Sequence, residues 1–93
     1  MTIDELAKKL KEKSQNYLVV KDNELSFTIC YKPSFFEKDD DPIELFHVEY
    51  DDDMSKTEWC AESKEVTFLL NLSQINLLAY PLHLLAELDK PIL

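Results

Sequence analysis

The chain is predicted to fold as an α+β domain: an N-terminal helix, an antiparallel sheet of three to four strands, and a C-terminal apolar helix kinked or broken at Pro81. Three observations carry the prediction. Apolar residues recur at one-face helical spacing near the start, alternating runs fill the middle, and the stretch from Ser73 to Leu88 is apolar nearly all round. At 93 residues the chain is one domain, 1–93, because domains of roughly 100–200 residues are the rule. With 45% apolar and 31% charged residues it carries enough apolar surface to fold.

Thr2 followed by Glu5 is a capping box, and Ile3, Leu6, Ala7 and Leu10 then share one helical face, predicting a helix over 3–13. Its outer face carries Lys8, Lys9, Lys11 and Lys13, as a solvated face does, with the cations toward the C-terminal end where the helix dipole favours them. Tyr17 to Val20 and Leu25 to Tyr31 read as strands, the second alternating Leu25, Phe27, Ile29, Tyr31 against Ser26, Thr28, Cys30. Asp22 and Asn23 are expected to make the turn between them, since in a chain without glycine these residues best tolerate the left-handed conformation. Ile43 to Tyr50 is a third strand, with Phe46, Val48 and Tyr50 on one face and Ile43, Leu45 and His47 on the other, a two-sided pattern that suits a central strand. Thr57 to Ala61 and Lys64 to Leu70 are read as further strand, Val66, Thr67 and Phe68 favouring it over a helix. Ser73 is the expected N-cap of a helix to about Leu88, in which Pro81 removes an amide.

The composition excludes several classes of activity. Without glycine no phosphate-cradling loop or glycine-flanked serine elbow can be built, and without arginine there is no bidentate phosphate clamp. A formal charge of -9 repels a phosphate backbone, so no direct nucleic-acid binding is expected. The first residues lack a secretory signal and no long apolar run spans a membrane, so the reading is a cytoplasmic protein off the membrane, with Cys30 and Cys60 as reduced thiols in buried structural positions.

The charge is not evenly spread. Residues 37–62 hold eleven acids against Lys38 and Lys56, so this segment carries the whole net charge. Asp39, Asp40 and Asp41 enter the third strand and Asp51, Asp52 and Asp53 leave it, which places the two triplets roughly 25 Å apart along a strand. Beside the first triplet, Phe35 and Phe36 are candidate apolar anchors. Leu78, Leu82 and Leu85 are the candidate self-association residues of the apolar helix.

Other motifs are weaker. From Asp51 the ligand types of a calcium loop recur, at Asp51, Asp53, Ser55, Thr57 and Glu62, but Lys56 stands where the sharp turn needs glycine and the preceding segment reads as a strand. His47 and His83 have no second ligand at metal spacing, and the Gln74, Leu77, Tyr80 spacing of a clamp-binding peptide is better explained by core packing. The expected function is therefore that of a small acidic, non-enzymatic binding protein, an adaptor or inhibitor that docks a basic protein partner through residues 37–62, in one form as a nucleic-acid mimic. Neither a cofactor nor a metal is expected. The alternative is a structural module in which the C-terminal helix makes a homodimer.

Overall fold

The computed structural model describes residues 1–51, 58–63 and 76–91, Asn76 by its backbone alone. Helix α1 (Ile3–Lys13) precedes strands β1 (Tyr17–Asn23), β2 (Ser26–Tyr31), β3 (Ile43–Asp51) and β4 (Glu58–Ser63), and helix α2 (Asn76–Leu85) follows. The strands form one sheet in the order β1-β2-β3-β4, every neighbouring pair antiparallel. This is the predicted α+β arrangement with four strands. The segments 64–70 and 71–75, including the Ser73 cap and Gln74, lie outside the described residues.

The α1 boundaries are those the capping residues dictate. The Thr2 hydroxyl accepts from the Glu5 amide at 3.2 Å and donates to the Glu5 carboxylate at 3.3 Å, which satisfies one of the orphan donors of the first turn. Ile3, Leu6 and Leu10 are buried, while Lys8, Lys9, Lys11 and Lys13 are exposed. Burying each large apolar side chain contributes about 1.5–3 kcal/mol, so this face fixes the helix on the sheet.

The β1–β2 turn falls later than expected, at Glu24 and Leu25. Among the described residues no non-glycine has positive φ. Asn23 instead closes the turn with its side chain, its Oδ1 accepting from the Leu25 amide at 2.7 Å, the other way an Asn serves a tight turn.

A bulge reshapes β3. Ile29 pairs with Phe46 but Cys30 pairs with Glu44, leaving Leu45 as the extra residue. The bulge turns Leu45 to the same side as Phe46, so Ile43, Leu45, Phe46 and Val48 all join the core, at 6%, 0%, 3% and 0% exposure. The expected split of Ile43 and Leu45 onto the opposite face is therefore incorrect; only His47 of that trio faces away. The strand is nonetheless internal to the sheet, as its two-sided pattern implies.

Helix α2 runs as one helix through Pro81, so of the expected kink or break the break is absent and the kink is not confirmed. Proline lacks the amide that would bond the carbonyl four residues earlier, here Leu77. That carbonyl accepts from the Tyr17 hydroxyl at 2.9 Å, so a side chain of the sheet supplies the bond the helix lacks. Burial pushes the Tyr17 phenol up to about 12, helped by the neighbouring Tyr31 and Tyr80.

Both helices pack on one sheet face: Leu6 and Leu10 of α1 and Leu84 of α2 share a core with Phe27, Ile29 and Val48. Trp59 of β4 packs edge to face on Phe27 and Tyr50, at 5.7 and 5.3 Å between centroids, and its Nε1 donates to the Asp89 carbonyl at 2.9 Å. The N-terminal ammonium meets the Asp89 carboxylate and the Glu87 carbonyl, each at 2.8 Å. The chain after α2 is thereby tied to both the first residue and the sheet.

Candidate functional site

The opposite face of the sheet is covered by neither helix. Directly paired residues of antiparallel strands project to the same side, so the registers define this outer face. β1 contributes Leu18 and Val20, and β2 Ser26, Thr28 and Cys30; β3 contributes Glu44, His47, Glu49 and Asp51, and β4 Glu58, Cys60 and Glu62. The face is thus graded, apolar at β1 and acidic across β3 and β4. No outward position named here is a lysine.

His47 sits in the middle of it. Its Nδ1 is 3.0 Å from the Thr28 hydroxyl and its Nε2 2.9 Å from the Glu49 carboxylate. With the proton on Nε2, the neutral ring donates to Glu49 and accepts from Thr28, so both nitrogens are satisfied. A hydroxyl, an imidazole and a carboxylate in line have the composition of a nucleophilic relay. Its surroundings oppose that chemistry: Asp22 and Glu44 share the adjoining hollow and would repel a developing oxyanion. Among the described residues no group of three His, Cys, Asp or Glu is placed to hold a metal ion.

Asp39, Asp40 and Asp41 precede β3 and Asp51 ends it, so these four carboxylates stand at opposite ends of the strand. Asp39 and Asp41 are exposed. Asp40 is exposed too, and it closes a turn: its carboxylate accepts from the Glu37 amide at 2.8 Å, while its own amide donates to the Glu37 carbonyl at 3.0 Å. Asp51 is half-buried at the end of β3, opposite Glu58. Asp52 and Asp53 lie outside the described residues, as do Ser55 and Thr57 of the span tested for calcium; that span is preceded by strand β3, and its last residues, Glu58 to Glu62, belong to strand β4.

Phe35 is 74% exposed, with its ring edge to face on Phe36 at 5.1 Å. Phe36 is half-buried against the core, so one of the two predicted anchors presents its ring to solvent and the other seats the loop. The loop is tied down by Asn16, whose Nδ2 donates to the Tyr31 and Ser34 hydroxyls at 3.3 and 3.2 Å. In α2, Leu78 and Leu85 are partly spent on the core, whereas Leu82 is 48% exposed. Leu77 and Tyr80 also pack on the core, as expected for that motif. Cys30 is buried but Cys60 is exposed, which corrects its expected buried position: β4 turns it to the outer face.

Sequence reasoning singles out the aspartate triplets and misses Glu44, Glu49, Glu58 and Glu62 as members of one face. Their signal lies in the period-two spacing of His47, Glu49, Asp51 and of Glu58, Cys60, Glu62. Glu44 is out of phase with that spacing because the bulge intervenes.

Lys21 and Lys13 are engaged away from this face, whereas Lys32 borders it, sharing a hollow with the outward Leu18 and with Phe36. Lys21 projects to the helix side, 2.8 Å from Glu24 and 4.0 Å from Asp4; the hydrogen bond to Glu24, aided by Asp4, holds its ammonium above the usual lysine range. The Lys13 ammonium lies 5.4 Å from the centre of the Tyr80 ring, and that of Lys32 donates to the Lys38 carbonyl at 3.0 Å.

No family model matches the chain, and neither the search of curated proteins nor that of solved structures returns a match. Among the described residues no helix is long and apolar enough to cross a membrane.

Proposed function

We propose that the protein is a small acidic binding protein, an adaptor or inhibitor, that docks a basic surface of a partner protein through its 37–62 segment. The observation that supports this most is the one-sided placement of Glu44, Glu49, Asp51, Glu58 and Glu62 on the outer sheet face, while the lysines of α1 lie in the helix layer. Carboxylates gathered on one face produce a directed negative field that steers and orients a cationic partner. In this reading the protein works in the cytoplasm without cofactor, metal or catalysis, and the acidic face competes with nucleic acid for the partner's basic surface.

Affinity capture from the source cells at low and high salt tests this, with the wild type and a Glu44→Gln, Glu49→Gln, Glu58→Gln, Glu62→Gln variant as baits. A basic protein held by the wild type at low salt, released at high salt and missed by the variant is the expected result. A partner kept equally by the variant, or indifferent to salt, contradicts the proposal.

A second reading has its own support in the 48% exposure of Leu82 on an otherwise apolar helix. There α2 joins two copies of the chain through Leu82 and the outer edges of Leu78 and Leu85, leaving the acidic face available in each copy.

A further inference from the structure

The apolar side of the outer face holds a trough. Two hollows of about 410 and 460 Å³ share Val20, Cys30 and Glu44 and so run together across β1, β2 and β3. Val20, Phe36 and Pro42 supply apolar walls, and Asp22, Asp41 and Glu44 contribute carboxylates along the length. Val20, 51% exposed on the edge strand, is among the most exposed large apolar residues described. Each hollow is of the size that binding sites for small groups have, about 300–1,000 Å³.

We propose that this trough receives the side chain of an arginine or lysine projecting from the basic partner, its aliphatic stem along Val20, Phe36 and Pro42 and its cationic head at Asp22, Asp41 or Glu44. The inference rests on the docking function proposed above and names the partner's chemistry. Charge complementarity selects the occupant. An anion is repelled by three carboxylates, and a purely apolar group would displace water from them and offer nothing in return. A divalent cation needs converging oxygens, and no such group exists among the described residues. Arginine and lysine alone among side chains combine a long apolar stem with a fixed positive head, and an aromatic wall such as Phe36 adds attraction for that head. The trough thus explains why an acidic surface has apolar residues beside it: the acids attract a cation, and the apolar wall discriminates a stemmed cation from a bare one.

The experiment is an NMR titration of the full chain, nitrogen-labelled, with a blocked hexa-arginine peptide at low salt. Amide shifts centred on Val20, Thr28 and Glu44 are expected, with affinity about fivefold weaker in Glu44→Gln and in Val20→Ser, the scale of one exposed ion pair or one lost apolar contact. The surface position of both residues keeps these variants folded, and their unbound spectra check it. Shifts centred instead on Glu58 and Glu62, with both variants binding like wild type, would overturn the trough and leave the acidic face intact. No shift anywhere on the outer face would overturn both. Trough shifts that arise on concentrating the protein without peptide would give the site to a second copy of this chain and overturn the proposed occupant.

Discussion

Tyr17 shows how one side chain holds two elements together. Its hydroxyl occupies the Leu77 carbonyl that Pro81 leaves without an amide, so Tyr17→Phe strands a polar group inside α2. The expected loss is about 1–3 kcal/mol, read as a lower denaturation midpoint in urea with an unchanged slope. The same phenol sets an alkaline limit. Below the ordinary tyrosine value of 10.0 both folded and unfolded chains keep the proton; between there and about 12 only the unfolded chain releases it. The unfolded state then binds fewer protons, so stability falls as pH rises through this window, by about 3 kcal/mol in all. Denaturation curves at pH values from about 9 to about 12 should show that fall in the wild type and a smaller one in Tyr17→Phe. Nothing in the sequence links Tyr17 to Pro81, because the bond to Leu77 spans 60 positions and depends on how α2 lies over β1.

At the scale of the element, much is legible and the reasons differ. The bounds of α1 follow from a local cap and one apolar stripe, both visible within the first residues of the chain. The strands follow from alternation, but their faces do not where alternation is interrupted. The bulge at Leu45 depends on pairing with β2, which local sequence does not report. Leu45→Ala should therefore behave as a core truncation and lower stability by about 2–5 kcal/mol, whereas a Leu45 on the outer face would lose far less; chemical denaturation separates the two. In α2 the spacing of Leu78, Leu82 and Leu85 suggests one surface, yet the fold spends its two ends on the core. A charge at Leu78 or Leu85 would thus disturb the monomer itself. Leu82→Asp is the cleaner probe of self-association: if α2 joins two copies, light scattering should give a dimer for the wild type and a folded monomer for this variant.

For the whole molecule, the charge polarity evident in the sequence takes a different geometric form. The aspartate runs place it at two loops, and the fold adds a sheet face on which strand alternation gathers carboxylates from β3 and β4. Docking by such a face should weaken steeply with ionic strength, because exposed charges are screened within about 8 Å at physiological salt. Association rates should fall more than dissociation rates rise, since steering acts on encounter; stopped-flow mixing with the captured partner at two salt concentrations measures this.

The sharpest measurement compares two variants of equal charge change for affinity toward that partner. One neutralises Glu44, Glu49, Glu58 and Glu62 on the sheet face; the other neutralises Asp4, Glu12, Glu24 and Glu87 elsewhere on the molecule. A large loss confined to the first is the result predicted, because position on the face decides binding. Equal losses in both would mean that net charge alone attracts the partner and would contradict a recognition role for this face.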